Sequence, residues 1–185
     1  MNRRKLIIGT GMLATGGAAA LGTGAFSSVE AKRAMSVEIN DDTEAYLRAQ
    51  PLDADGNLVD EGPKPVAQNV PYAVIDEDTG RLVLTFDSLN NDAETLITDV
   101  FQVANEGSQE VGIFFDKEGD NTDVVEFYDQ DGNRLDVAES DAVRIDVGES
   151  LDIDVEFDTL EHDVDSEDSI MDSLVINGDV GAGTQ

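Results

Sequence analysis

The sequence predicts an all-β protein: a single antiparallel, jelly-roll-like β-sandwich preceded by an N-terminal signal segment. Three observations support this fold class. Short runs in which apolar and polar residues alternate recur along the chain, as expected of half-buried strands. Clusters of Asp, Asn and Gly separate these runs and are typical of turns. No long helical pattern and no repeat of fixed period occurs, so one mature domain is expected over residues 34–180.

The stretch Thr98–Asp116 is predicted to form the centre of this domain. Its pattern predicts two strands joined by a tight turn at residues 105–108, where Asn and Gly supply the positive φ that such a turn needs. Three of the seven phenylalanines, Phe101, Phe114 and Phe115, lie in it. Adjacent residues of a strand face opposite sides, so we expect Phe101 and Phe115 in the core and Phe114 on the other face.

The same alternation predicts the other strands, and it is clearest over Leu151–Phe157, where every second residue is apolar. A helical turn is predicted over Thr43–Arg48, a proline-containing surface loop over Glu61–Pro71 and a flexible tail over residues 181–185. The remaining predicted strands are Ala34–Asn40, Tyr72–Ile75, Arg81–Phe86, Val124–Tyr128, Arg134–Val137, Ala142–Val147 and Leu174–Val180.

The first 25 residues have the pattern of a secretory signal peptide. Arg3, Arg4 and Lys5 form a basic start, and the run Leu6–Ala25 that follows is apolar and contains six glycines. The adjacent arginines and the modest hydrophobicity favour twin-arginine export, with cleavage after Ala25. An uncleaved membrane anchor is the alternative, because the run is about long enough to span a bilayer, although its glycines weaken it.

The charge of the chain indicates both its partners and its environment. Eleven Lys and Arg oppose 41 Asp and Glu, for a formal charge of −30, and cleavage after Ala25 would leave 8 basic residues and a charge of −33. Such a field repels nucleic acid and anionic lipid, so we expect neither nucleic acid nor membrane as a partner once the signal is cleaved. Dense carboxylates are typical of proteins adapted to high salt, and the expected location is extracellular, at the cell surface.

No residue pattern predicts an enzyme. Cysteine is absent, which excludes disulfides and thiol chemistry, and the single histidine, His162, lies in an acidic segment where a solvated loop residue is expected. One histidine without cysteine does not make a zinc site. The sequence has no glycine-rich phosphate loop, and its carboxylates are too numerous for any pair to be nominated as general acid and base.

Calcium is the one cofactor that the sequence suggests, and only weakly. Two Asp-x-Asp-Gly-Asn stretches place oxygen ligands at short spacing, but neither continues into the full calcium loop with its terminal Glu. The same residues are also those that a tight turn uses. The candidate ligands are Asp53, Asp55, Asn57, Asp129, Asp131 and Asn133.

Three stretches carry a resemblance to a known family. They are the signal junction Gly22–Ser27, the strand Ala34–Asn40 and the segment Asp99–Ser108 with its Phe-x-Val-x-Asn-x-Gly pattern. They resemble the TasA and camelysin-type secreted proteins, whose archaeal relatives include haloarchaeal secreted proteins and bundling-pilus subunits. The resemblance implies a jelly-roll-like sandwich and an N-terminal segment that can leave its own domain and add as a strand to the next subunit. The long lysine-rich insertions of the bacterial members are missing here.

The expected function is that of a secreted, salt-adapted structural protein of the cell surface, a filament or matrix subunit that assembles with other copies of itself by donating residues 26–33. Two alternatives stay open. Residues 26–33 could be only a leader, with the following strand pairing inside its own domain, or the protein could be a monomeric secreted or surface-associated binding domain. The strand-donor candidates are Phe26, Val29, Ala31, Met35, Val37 and Ile39.

Overall fold

The structure, a computed structural model, is an all-β sandwich of two packed sheets, as the sequence predicts. It describes residues 32–41, 46–59, 72–76, 78–87, 89, 93–160, 162 and 170–183. The predicted signal peptide and residues 26–31 lie outside the described residues. The strands are β1 (Lys32–Asp41), β2 (Leu47–Pro51), β3 (Ala73–Ile75), β4 (Leu82–Asp87), β5 (Glu94–Asn105), β6 (Val111–Glu118), β7 (Val125–Asp129), β8 (Val143–Ile145), β9 (Ser150–Asp158) and β10 (Ser173–Asp179).

The first sheet, sheet A, has the strand order β3-β4-β1-β10-β6-β8, and the second, sheet B, has the order β2-β5-β9-β7. Two single-turn 3₁₀ helices, Thr122–Val124 and Glu139–Asp141, precede β7 and β8. None of the helices in the described ranges is long and apolar enough to cross a membrane.

The prediction of a purely antiparallel sandwich is wrong at one pair of strands. β1 and β10 run parallel over six residue pairs, from Ser36 opposite Ser173 to Asp41 opposite Gly178, whereas the other strand pairs are antiparallel. A short turn forces consecutive strands to be antiparallel, but these two strands are separated by most of the domain, so no turn dictates their direction.

The predicted central hairpin is also wrong, because its two strands belong to different sheets. β5 lies in sheet B and β6 in sheet A, so residues 106–110 cross the sandwich. Asn105, which is fully buried, holds this crossing together. Its amide donates to the carbonyl oxygens of Gln109 at 2.8 Å and Ile145 at 3.3 Å, and its side-chain oxygen accepts the Gly107 N–H at 2.9 Å. Ile145 ends β8 of sheet A, so one amide ties the two sheets at this end.

The core is centred where the sequence predicts. Phe101 of β5 and Phe115 of β6 stack across the two sheets with ring centroids 6.4 Å apart, and Phe115 meets Phe127 edge to face at 5.6 Å. These three rings are buried, whereas Phe114 is half-buried on the outer face of sheet A, which confirms the predicted opposite orientation. Edge-to-face and offset aromatic pairs of this kind add to the stabilisation that burial itself provides.

One side of the sandwich is closed by the chain that follows β7. The Leu135 N–H donates to the carbonyl of Phe127 in sheet B, and the Leu135 carbonyl accepts the Phe115 N–H from sheet A, each at 2.8 Å. Next to it, Asp136 forms an ion pair with Lys117 of β6 at 2.6 Å. Residues 134–136 therefore cover the outer edge of β7 and join it to the opposite sheet.

The first residues of the predicted tail are packed against sheet A. Ala182 is buried over Gly112, whose added Cβ would lie 2.7 Å from the Ala182 carbonyl oxygen. Arg144 donates to that same carbonyl at 2.5 Å, and the Gly183 N–H donates to the Glu139 carbonyl at 3.0 Å. A side chain at position 112 would therefore displace the tail.

Candidate functional site: an open strand edge beside β5

The candidate site begins where β2 ends. The predicted helical turn at Thr43–Arg48 is wrong in its described part, since Arg48 belongs to β2, which pairs with the second half of β5. Pro51 sits near the end of this edge strand, where a missing N–H is tolerated. The carboxylate of Asp53 then accepts the N–H groups of Asp55 and Asn57, each at 2.9 Å, and the chain turns away with Gly56 at φ 75°.

Among the described residues, the first half of β5 has a paired strand on one side only. β9 pairs with Glu94–Ile97, but β2 has already turned away, and its last backbone bond to β5 joins the Leu52 N–H to the Val100 carbonyl. The bond from the Thr159 N–H to the Ala93 carbonyl fixes the alternation, so the backbone N–H and C=O of Leu96 point away from β9. Within the described ranges, no residue hydrogen-bonds the main chain of Leu96 on that side.

A cleft of about 480 Å³ lies along this open edge and reaches between the two sheets. Its floor is apolar, with Leu52, Phe86 and Leu89 buried beneath it. Tyr72 stacks on Phe86 with centroids 5.7 Å apart, which makes a flat aromatic wall. The remaining described residues that line the cleft are Asp53, Ala54, Thr95, Leu96, Ile97, Thr98, Asp99 and Val100.

A β-bulge in β5 shapes the mouth of the cleft. The pairing of β5 with β9 shifts register between Ile97 and Phe101, and Asp99 adopts φ 55°, a left-handed conformation that Asp tolerates better than most residues. The Asp99 N–H donates to the carboxylate of Asp154 at 2.9 Å. This bond fixes the bulge and directs the Asp99 carboxylate towards the turn at Gly56.

Acidic side chains from three strands crowd the outer face of sheet B next to this edge. Glu126 lies directly opposite Glu156 across β7 and β9, and Glu94 reaches Glu156 from β5. Partial burial raises the pKa of Glu156, and the hydrogen bond and charge of Glu94 raise it further. Burial also raises the pKa of Asp154, although the Asp99 N–H opposes this shift. Carboxylates from β5, β7 and β9 therefore lie side by side on the outer face of sheet B.

Tyr128 extends the same acidic row. Its hydroxyl donates to the carboxylate of Glu126, and this bond, together with partial burial, raises the pKa of Tyr128. Arg134 forms an ion pair with Glu126 at 2.5 Å and places a positive charge against this row.

The calcium candidates fold into two copies of one turn. In the second copy, Asp129 accepts the N–H groups of Asp131 at 2.9 Å and Asn133 at 2.7 Å, just as Asp53 does in the first. Backbone donors therefore occupy the first carboxylate of each turn, and the bond from the Asn57 N–H is the largest of the causes that lower the pKa of Asp53. In the part of the chain that the structure describes, no group of three or more His, Asp or Glu side chains is arranged to hold a metal ion.

The predicted strand-donor residues divide into two groups. Met35 and Val37 are buried in the core of their own domain, and Ile39 is partly exposed at the end of β1. Phe26, Val29 and Ala31 lie outside the described residues. The candidate base rejected from the sequence, His162, has Nδ1 3.2 Å from an Asp123 carboxylate oxygen.

The chain matches no protein-family model, no curated protein and no solved structure. Sequence reasoning missed the open edge. The two Asp-x-Asp-Gly-Asn stretches are predicted as turns from the sequence. Only the strand pairing shows that, within the described ranges, β2 ends at the first of these turns and pairs with the second half of β5 alone.

Proposed function

We propose that this protein is a secreted, salt-adapted structural protein of the cell surface, which assembles into a filament or matrix when the segment before β1 is donated to another copy. The resemblance to TasA and camelysin-type proteins in the signal junction, β1 and β5 supports this proposal.

The observation that carries the proposal is the position of β1. It is the first described strand, yet it lies in the middle of sheet A, with β4 paired on one side and β10 on the other. Met35 and Val37 anchor it in the core. A load applied to the preceding residues is therefore transmitted into the centre of the domain, which is what a subunit linked through its N-terminal segment requires.

The charge distribution supports the salt-adapted part of the proposal. The outer face of sheet B presents carboxylates from β5, β7 and β9, and few cations oppose them. Two such surfaces repel each other in dilute buffer. The screening length is about 10 Å at 0.1 M salt and about 3 Å at 1 M. Assembly should therefore need high ionic strength.

The test compares two chains, residues 26–185 and residues 32–185, in molar potassium chloride. Deleting residues 26–31 leaves every residue of β1 in place, so both chains should give the same circular dichroism spectrum. Electron microscopy and size-exclusion chromatography should find assemblies only for the longer chain. Equal assembly of both chains, or none by the longer one, would overturn the proposal.

The alternative is a monomeric binding domain, and the cleft beside β5 favours it. Its volume of about 480 Å³ falls within the range of small-molecule sites. A monomer at every salt concentration, together with chemical-shift changes at Tyr72 and Leu96 on addition of toluene as an apolar probe, would support this second function.

A further inference from the structure

We infer that the cleft beside β5 is a binding site for a small organic ammonium ion, a molecule that carries one positive charge on an apolar or aromatic body. The inference goes beyond the proposed function, because a cleft within one chain would bind its ligand in a monomer and in an assembly alike. It follows from the aromatic wall, the carboxylates at the mouth and the open main chain of Leu96.

The apolar body of the ligand would lie in the interior of the cleft. Leu52, Phe86 and Leu89 are each no more than 5% exposed and form its floor. Tyr72 stacks on Phe86 with an angle of 21° between the ring planes, so the wall is flat. A flat aromatic wall favours compact apolar groups, and the face of an aromatic ring also attracts cations.

The charged residues at the mouth of the cleft have one sign. Asp53 and Asp99 line it, and none of the described lining residues is Lys, Arg or His. The hydrogen bonds that Asp53 accepts from Asp55 and Asn57 all end on Oδ1, so they leave its second oxygen, Oδ2, for a ligand. A positive charge is therefore favoured over a neutral group or an anion at this position.

The carboxylate of Asp99 lies between two other acidic groups. On one side it approaches the turn that Asp53 begins, since a Cβ on Gly56 would lie 3.6 Å from the carboxyl carbon of Asp99. On the other side is Asp154, whose pKa is raised by burial and further by the charge of Asp99, although the Asp99 N–H opposes this shift. A cation placed here would relieve the repulsion between these carboxylates.

The main chain of Leu96 provides a directional contact. Its carbonyl points away from β9, and within the described ranges no residue hydrogen-bonds it on that side. A primary ammonium group has three N–H donors and no acceptor. Such a group would donate to this carbonyl and to the carboxylate oxygens at the mouth, while its apolar body contacts Tyr72 and Phe86.

A second cleft, of about 250 Å³, lies between β1, β2 and β4 and lacks this charge preference. Its apolar lining includes Val37, Ile39 and Ala49, and its charged residues are Glu38 and Arg81. The Arg81 guanidinium lies 3.5 Å from a Glu38 carboxylate oxygen, so the two charges balance each other. Glu38 is therefore a suitable control, as a carboxylate that lines a cleft but already has a cationic partner.

The first part of the test compares three probes of similar size on chain 26–185, which contains every described residue. The probes are the cation 2-phenylethylammonium, the neutral 2-phenylethanol and the anion phenylacetate. Saturation-transfer NMR in molar potassium chloride measures their dissociation constants. We expect the cation to bind most tightly and the anion most weakly. A lower salt concentration should increase the preference for the cation, because screening becomes weaker.

The second part of the test removes single charges. Asp99→Asn keeps a residue that tolerates the left-handed conformation, and Asp53→Asn keeps a side-chain oxygen for the N–H groups of its turn. Each variant should raise the dissociation constant of 2-phenylethylammonium about two- to fivefold and leave that of 2-phenylethanol unchanged. Glu38→Gln should change neither constant. Circular dichroism verifies that all three variants are folded.

Three results would overturn the inference: equal affinity for the three probes, no binding of any of them, or a loss of cation affinity in Glu38→Gln as large as in Asp99→Asn. Sedimentation of the same chain measures assembly separately. A chain that binds the cation but stays monomeric supports the inference and overturns the proposed function, whereas an assembling chain that binds no probe does the reverse.

Discussion

Lys117 and Asp136 form an ion pair, 2.6 Å between Nζ and Oδ2, at the line where the two sheets meet on their closed side. The Asp136 side chain is only 2% exposed, and Arg134 binds it with two further hydrogen bonds at 2.9 and 2.7 Å. Lys117 also donates to the Val125 carbonyl of β7 at 2.6 Å. This network fixes the closed side, whereas the opposite end of sheet B keeps the open edge of β5.

We predict that Asp136→Asn lowers the free energy of unfolding at pH 7 by about 2–3 kcal/mol, because it leaves the shielded ammonium of Lys117 without its charged partner. Chemical denaturation in molar salt measures this change. Glu106→Gln is the control. Its pair with Arg48, 3.2 Å long, is solvent-exposed, so the loss should stay below about 1 kcal/mol.

We also predict that the effect of Asp136→Asn on the free energy of unfolding depends on pH. Burial alone would raise the pKa of Asp136, but the hydrogen bonds and charges of Arg134 and Lys117 outweigh it and hold the pKa below its ordinary value. The carboxylate therefore stabilises the fold above the ordinary Asp pKa, and this stabilisation is lost as pH falls through the lower folded-state value. The difference in free energy of unfolding between the parent and Asp136→Asn should become smaller in acid. A gap that does not change with pH would contradict the assignment.

Glu156→Gln should stabilise the protein at neutral pH, by a few tenths of a kcal/mol to about 1 kcal/mol, because it removes a charge that faces Glu94 and Glu126. The folded-state pKa of Glu156 is raised, so its ionisation destabilises the fold as pH rises above the ordinary value of 4.5. The melting temperatures of the parent and of Glu156→Gln, measured from pH 4 to 8, should therefore move apart as the pH rises. Glu139→Gln, in an exposed 3₁₀ turn, should give no such divergence.

Asn105→Asp should be among the most damaging conservative substitutions in the chain, at about 3 kcal/mol or more. The Gln109 and Ile145 carbonyls, which now accept amide hydrogens, would face a buried carboxylate instead. Asn57→Asp makes the same chemical change in an exposed turn and should cost less than about 1 kcal/mol. Similar losses for both variants would show that Asn105 does not hold the crossing between the sheets.

Phe115→Ala and Phe114→Ala should differ sharply although the residues are neighbours. Phe115 packs against Phe101 and Phe127, so its removal should cost about 3–5 kcal/mol. Phe114 is half-buried on the outer face of sheet A, and its removal should cost about 1 kcal/mol. Urea denaturation of both variants measures the difference. Equal, large losses would mean that the outer face of sheet A is covered in solution.

The strands could be predicted from the sequence where burial imposes alternation, and β9 is the clearest case, with every second residue buried from Leu151 to Phe157. β2 was missed because only Leu47 and Pro51 of its five residues are buried, which leaves no alternation to detect. The sequence also could not predict to which sheet each strand belongs. The residues after Asn105 are compatible both with a hairpin, in which β6 would pair with β5, and with the observed crossing from sheet B to sheet A.

The candidate site depends on contacts between residues that are far apart in the sequence. Its apolar floor brings together Leu52, Tyr72 and Phe86, and the open edge exists because β2 stops where β5 continues. No local pattern encodes the relative length of two strands that are paired across 50 residues. The composition shows that the chain is rich in carboxylates. That two of them lie next to each other follows only from the register of β7 and β9, which places Glu126 opposite Glu156.

The account is tested most directly by analytical ultracentrifugation of chains 26–185 and 32–185 in molar potassium chloride. Chain 26–185 should sediment as assemblies larger than a monomer, whereas chain 32–185, which keeps the whole of β1, should sediment as a folded monomer. Equal sedimentation of the two chains would contradict assembly through the segment before β1.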